Sequence, residues 1–167
     1  MTAKVGTNPF TTKESASSED RSRRIFNQIL SESKYAAFSI EKSYSMNDVY
    51  DTDKSVTHRR GHDAVTEPDL GLLKLNGKPV GLGDNKYQTA LQNAVERVCL
   101  YTLDAMRMGI SPKNVLIVFD GPAFNKNSAG KYTSAPGKQL VRSMYHNTCF
   151  VQPTDQELDT GIREYLD

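Results

Sequence analysis

The chain has 167 residues and a formal net charge of +1, and 37% of its residues are hydrophobic. This length and composition predict one domain with a sizeable core, and the balanced charge excludes bulk nucleic-acid binding, so that any such role is local. No apolar run approaches the roughly 20 residues of a membrane helix. Residues 1–10 lack the apolar segment of a signal peptide, so we expect a cytoplasmic or virion protein without membrane contact.

The N-terminal segment, residues 1–20, is rich in Ser, Thr and Lys and has no periodic apolar pattern. It buries too little surface to fold alone, and we predict a flexible arm. Residues 21–167 are predicted to form a single domain that opens with a short helix. Within it, residues 42–69 are polar and aperiodic, which predicts a long loop with a functional or partner-ordered role.

Residues 71–82 have the pattern of a β-hairpin. Two apolar runs flank Asn76-Gly77, a dipeptide suited to the positive φ angles of a two-residue turn. Pro79 has no amide hydrogen to donate, which places the hairpin at an edge of the sheet. Residues 81–83 are interpreted as the exit from the hairpin, and Asp84 or Asn85 as the cap of the next helix.

The strongest pattern in the chain is a helix followed by a buried strand. Apolar residues recur at helical spacing over 86–108, and Gly109 and Pro112 end that helix. Residues 115–119 are apolar at every position, which is typical of a strand covered on both faces. We predict an α/β or α+β domain with a small mixed sheet around strand 115–119, packed by helix 86–108.

The last part of the chain alternates between polar and apolar segments. Residues 122–138 are predicted to form a long loop because Asn, Ser, Gly, Lys and Pro dominate them. A short strand at 148–151 and a final helix after Pro153 follow. The connection between strands 115–119 and 148–151 is long enough to make them parallel.

Asp120 follows the buried strand, at the edge where open α/β sheets gather ligands. With strand 148–151 parallel, Asp155, Glu157 and Asp159 would emerge beside it, and such a cluster of carboxylates would hold Mg²⁺ for phosphoryl transfer. The alternative is that Asp120 belongs to a turn and that the later acids complement a helix N-terminus. We favour this second interpretation, and with it neither a metal nor another cofactor.

The segment between Asp120 and Asp155 contains no acidic residue. We predict that its basic stretch, residues 122–146, contacts nucleic-acid phosphates or an acidic partner. The alternative is a solvated loop whose lysines keep it soluble. The candidate binding residues are Lys126, Lys131, Lys138 and Arg142.

The sequence resembles two kinds of protein, and each resemblance implies a function. The order of helix, Val-Leu-Ile-Val-Phe-Asp-Gly, basic loop, strand and acidic helix start resembles part of the 5′-nuclease and PIN-like nucleases. This resemblance implies an Mg²⁺-dependent enzyme acting on nucleic acid, in which Asp120 helps to bind the metal and the basic loop lies near the substrate. The polar arm, the long loops and the small core are instead similar in style to small assembly proteins of tailed phages.

We first predict a non-enzymatic binding or assembly protein, such as a viral structural component, that forms an oligomer with other protein subunits. Its arm and its loops at 42–69 and 122–138 would become ordered on those partners. The second prediction is the Mg²⁺-dependent nuclease-like enzyme, with Asp120, Asp155 and Asp159 as metal ligands.

Overall fold

The structure, a computed structural model, describes residues 13–45, 65–89, 94–143 and 146–167. The N-terminal part of the predicted arm and most of the predicted loop at 42–69 lie outside these residues. Within them, no helix is both long enough and apolar enough to cross a membrane.

The described residues form four α-helices and seven strands. The helices are α1 (Lys13–Leu30), α2 (Ala94–Arg107), α3 (Ala135–Ser143) and α4 (Asp155–Leu166). The strands are β1 (Phe38–Glu41), β2 (Tyr44–Ser45), β3 (Val65–Thr66), β4 (Gly71–Leu75), β5 (Lys78–Tyr87), β6 (Val115–Asp120) and β7 (Thr148–Val151).

A mixed five-stranded sheet in the order β1-β4-β5-β6-β7 forms the centre of the domain. β1, β4 and β5 are antiparallel neighbours, whereas β5, β6 and β7 run parallel. Parallel neighbours need a crossover connection, and α2 and α3 lie in the two crossovers. β2 and β3 form a separate antiparallel pair. The predicted α/β class and the parallel pairing of the last two strands are confirmed.

Each face of the sheet has its own hydrophobic core, which explains why β6 is apolar at five consecutive positions. Val115, Ile117 and Phe119 join the core formed with α2 and α3. Leu116 and Val118 join the core formed with α1 and α4. The sheet is therefore the middle layer between two helical layers, and the prediction of a doubly covered strand is confirmed.

The predicted hairpin is present, but it does not lie at an edge. Asn76 and Gly77 take the expected positive φ angles of 51° and 81°. β1 pairs with the outer side of β4, and β6 pairs with the outer side of β5, so the edge assignment from Pro79 is wrong. Pro79 is tolerated because the pairing of β5 with β6 begins only at Leu82.

Residues 86 and 87 of the helix predicted over 86–108 belong to β5 instead, and α2 is described over Ala94–Arg107. β5 pairs with β6 from Leu82 to Tyr87, which keeps the backbone of this segment extended. Asp84 is therefore a buried strand residue, and its interpretation as a helix cap is wrong. This correction places a carboxylate inside the sheet.

The boundaries of the arm and of one loop also differ from the predictions. Residues 13–20 are helical, and Ser18 is buried, because α1 packs against β5 and α4. The segment 122–138 contains a short 3-10 turn at Pro122–Phe124, and its last residues belong to α3.

Replacing Phe119 by Ala tests the core beneath α2. Phe119 is fully buried and its ring packs 5.0 Å from the ring of Phe124. We expect a loss of about 3–5 kcal/mol in the free energy of unfolding, since the cavity cannot close completely. Denaturant titration measures it. Met106→Ala is the control, because Met106 is 57% exposed on α2 and its truncation should cost far less.

Candidate active site

The site begins where the strands of the hairpin separate. The last backbone ladder bond joins the Leu70 amide to the Gly83 carbonyl, at 3.0 Å. Beyond it the Asp69 amide donates to Asp84 Oδ1 at 2.7 Å, and the Asn85 amide donates to Asp69 Oδ2 at 3.3 Å. Each carboxylate thus binds the backbone of the opposite strand. This cross-bracing fixes the two carboxyl groups beside each other.

Lys86 adds an ammonium group to this pair. It follows Asp84 by two residues, so the two side chains share one face of β5. Its Nζ forms an ion pair with Asp84 Oδ2 and lies 5.8 Å from the centre of the Tyr101 ring on α2. The Lys86 side chain remains 19% exposed, whereas that of Asp84 is 1% exposed. The ammonium is therefore held beside a buried carboxylate.

Glu19 approaches the same groups from α1. Burial raises the pKa of its carboxyl group; the positive charge of Lys86 opposes this shift and the negative charge of Asp84 adds to it. Glu19 therefore lies within electrostatic range of both residues. We call the set of Glu19, Asp69, Asp84 and Lys86 the carboxylate cluster.

Burial and neighbouring charges shift the pKa values of Asp69 and Lys86. Burial, and then the negative charge of Asp84, raise the pKa of Asp69 to about 8. Burial also lowers the pKa of Lys86, but the neighbouring negative charges, Asp84 foremost, outweigh it and the net shift is upward. Asp84 Oδ2 faces the Lys86 ammonium, with which it forms an ion pair. A buried carboxyl group whose pKa is raised by burial and by a neighbouring carboxylate is typical of functional sites.

The donor set matches Mg²⁺ rather than a transition metal. Among the residues that the structure describes, no three His, Cys, Asp or Glu side chains are grouped closely enough to enclose a metal ion. Mg²⁺ does not need such a cage, because it usually keeps several waters and binds one or two carboxylates together with substrate phosphates. Asp69 and Asp84 supply this minimal set.

A buried hydrogen-bond network fixes α1 against β5 beside the cluster. Ser22 Oγ donates to Asn85 Oδ1 at 2.7 Å, and Asn85 Nδ2 donates to Ser18 Oγ at 3.0 Å. Ser18 Oγ in turn donates to Asp120 Oδ2 at 2.9 Å. Asn85 lies between Asp84 and Lys86, so the network sets the position of α1, and with it Glu19, relative to the other cluster residues.

The carboxylates predicted from the sequence occupy other places. Asp120 and Asp155 converge, but on the guanidinium of Arg21, whose nitrogens lie 3.4 Å and 3.2 Å from their oxygens. Asp159 instead binds Arg163 at 2.7 Å, which also binds Glu32. The structure therefore brings together two of the three predicted ligands, with an arginine between them.

The predicted basic residues line the segment between β6 and β7. The Lys126 ammonium lies 4.9 Å from the centre of the Tyr132 ring. Lys131 and Lys138 are exposed. Arg142 belongs to α3, and its side chain lies outside the described residues.

Sequence reasoning missed every member of the carboxylate cluster. The available signal was Pro68-Asp69 directly before a strand, combined with Asp84 and Lys86 two residues apart in the second strand of the hairpin. Interpreting Asp84 as a helix cap concealed it. Glu19 carried no separate signal, because its place in the cluster depends on how α1 packs.

No model of a known protein family matches this sequence, and no curated protein matches it either.

The raised pKa of Asp69 predicts that stability depends on pH. The folded value of about 8 exceeds the ordinary value of 3.8, so the folded chain binds this proton more tightly than the unfolded chain. The contribution is complete below about pH 4 and is lost as the pH rises through 8. In metal-free buffer we expect stability to fall between pH 5 and 8 by about 3–4 kcal/mol from this group.

Asp69→Asn should remove most of that slope, because the amide resembles the protonated carboxyl group. Denaturant titrations at both pH values measure it. Asp155→Asn, at an exposed carboxylate, is the control and should keep the slope of the parent chain. An unchanged slope in Asp69→Asn would contradict the proton assignment.

Proposed function

We propose that this chain is an Mg²⁺-dependent phosphodiesterase of the nuclease type, with the carboxylate cluster as its active site. The observation that carries the proposal is the cross-bracing of Asp69 and Asp84 at the end of the hairpin, with Lys86 on the same strand face as Asp84. Perturbed carboxyl groups with a specific charged partner are typical of functional sites. Oxygen ligands beside a lysine suit a phosphate substrate.

Each residue then has a chemical role that follows from its surroundings. Asp69 and Asp84 would hold the cation, which supplies Lewis acidity toward a phosphoryl oxygen and lowers the pKa of a bound water. Lys86, on the same strand face as Asp84, would stabilise negative charge that develops on the phosphate during the reaction. Glu19, with its raised pKa, would accept a proton from the attacking water.

The proposal keeps the reaction class of the second sequence prediction and changes its residues. Asp120 accepts a hydrogen bond from Ser18 and forms an ion pair with Arg21, and Asp155 also forms an ion pair with Arg21. These contacts support a structural role for the pair beside the active site.

The assembly function remains a prediction. The arm and the longer loop on which this prediction depends fall largely on residues 1–12 and 46–64, outside the described ranges. The contacts among the described residues give more specific support to the enzyme, so we rank the assembly function second.

Cleavage of labelled single-stranded and double-stranded oligonucleotides, with Mg²⁺ or with a chelator, tests the proposal directly. We expect Mg²⁺-dependent hydrolysis by the parent chain. Asp84→Asn and Lys86→Ala should each reduce kcat by about 10²–10³, since the first removes a ligand of the cation and the second removes positive charge from the reacting phosphate.

Asp155→Asn and Asp159→Asn are the matched controls and should retain activity to within a small factor. Full activity in Asp84→Asn would contradict the assignment. A loss of activity in Asp155→Asn alone would place the active site at the contacts of Arg21 instead.

Mg²⁺ should also stabilise the fold without substrate, and more strongly at pH 8 than at pH 5, because ligation requires deprotonated Asp69. At a concentration ten times its Kd, the cation contributes about 1.4 kcal/mol. This corresponds to a rise in Tm of roughly 3–6 °C. Thermal unfolding measures it, and Asp84→Asn should lose it. Equal stabilisation at both pH values would contradict ligation by Asp69.

A further inference from the structure

Helix α2 has a second apolar face in addition to the one that packs on the sheet. The packed face consists of buried residues at helical spacing: Ala94, Val98, Tyr101 and Ala105. The second face lies beside it and consists of residues that recur every three or four positions: Val95, Cys99, Leu103 and Met106. We call this second set the α2 stripe. A surface helix usually presents polar residues on the side away from its core, so the stripe departs from the ordinary pattern.

The α2 stripe is open to solvent. Leu103 is 44% exposed and Met106 is 57% exposed, and Cys99 is exposed as well. The stripe lines a groove of about 490 Å³, which Asn147 lines from the opposite side. Asn147 is held there because its Nδ2 donates to Thr102 Oγ1 at 2.9 Å. An exposed apolar groove with polar residues at its border is typical of an interaction surface.

The flank of the stripe that lies away from Thr102 has one charge of each sign. Glu96 belongs to the first turn of α2 and Arg107 to the last turn, and both side chains are exposed. Arg107 follows Glu96 by eleven residues, which is about three full turns of an α-helix. The two charges therefore lie on the same side of α2, about 16 Å apart along its axis, and are too distant to pair within one chain.

A second copy of α2 that packs antiparallel to the first matches both the stripe and the charges. A two-fold axis through the middle of the stripe places Glu96 of each copy opposite Arg107 of the other, so two ion pairs form. The stripes then cover each other, with the helix axes about 8–10 Å apart. Parallel packing would instead bring like charges together at both ends. The charge pattern therefore selects a second copy of this chain in the antiparallel orientation.

We propose that the α2 stripe is a dimer interface, at which two copies of this chain pair through antiparallel α2 helices. The inference does not depend on the proposed activity. A pair of four-turn helices buries less than the roughly 1,600 Å² of a standard interface. The dimer is therefore weak: it forms at micromolar and higher concentrations and dissociates on dilution.

Sedimentation velocity from micromolar to submillimolar concentration measures the dissociation constant of the dimer. Met106→Lys introduces a charge into the interface twice per dimer and should raise this Kd by about tenfold or more, since it also removes two buried apolar side chains. Val65→Lys is the matched control, because Val65 is 55% exposed and belongs to β3 rather than to α2. It should keep the Kd of the parent chain. Circular dichroism verifies that both variants are folded.

Charge reversal tests the orientation of the two helices. Glu96→Lys alone places like charges opposite each other at both ends of the interface and should raise the Kd by about three- to tenfold. Glu96→Lys/Arg107→Glu restores opposite charges and should return the Kd to within about twofold of the parent value. Because the two positions are too distant to meet within one chain, this rescue requires contact between copies.

Three results would overturn the proposal. The first is a parent chain that stays monomeric at submillimolar concentration, which would leave the stripe to a different occupant. The second is a dimer that Met106→Lys and Val65→Lys weaken equally. The third is a dimer that the double charge reversal fails to restore, which would exclude antiparallel pairing of α2.

Discussion

The cross-bracing of Asp69 and Asp84 is the interaction on which the proposed active site depends. It replaces ordinary ladder bonds at the end of the hairpin, where β4 and β5 separate. The two carboxylates satisfy backbone amides that would otherwise lie unpaired, and they are thereby fixed in a buried position. The same burial raises the pKa of Asp69, so the contacts that stabilise the strand end also increase the affinity of this carboxyl group for a proton.

The parallel pairing of β5 with β6 distributes the polar residues of this segment between two faces. Asp84 and Lys86 share one face, and Lys86 lies over Tyr101 of α2. Asn85 points toward α1 and its two serines. A register shift of one residue would exchange these faces, which would bury the ammonium against α1 and remove the network. Sheet register therefore links the stability of the fold to the chemistry of the site.

Much of the fold is predictable from local patterns, because strand 115–119 is apolar throughout and Asn76-Gly77 specifies its turn. The cluster is harder to predict, because its residues violate those patterns. Asp84 and Lys86 occupy strand positions that a purely structural sequence would fill with apolar residues, and such local conflicts are expected at functional sites. The Arg21 contact with Asp120 joins residues 99 apart in the chain, so no local pattern indicates it.

The most direct test is the anomalous scattering of crystals soaked with Mn²⁺, which takes the same oxygen ligands as Mg²⁺. We predict a peak within coordination distance of carboxylate oxygens of both Asp69 and Asp84, with Lys86 displaced from Asp84 Oδ2. A peak between Asp120 and Asp155, or no peak at the carboxylate cluster under saturating Mn²⁺, would contradict this account.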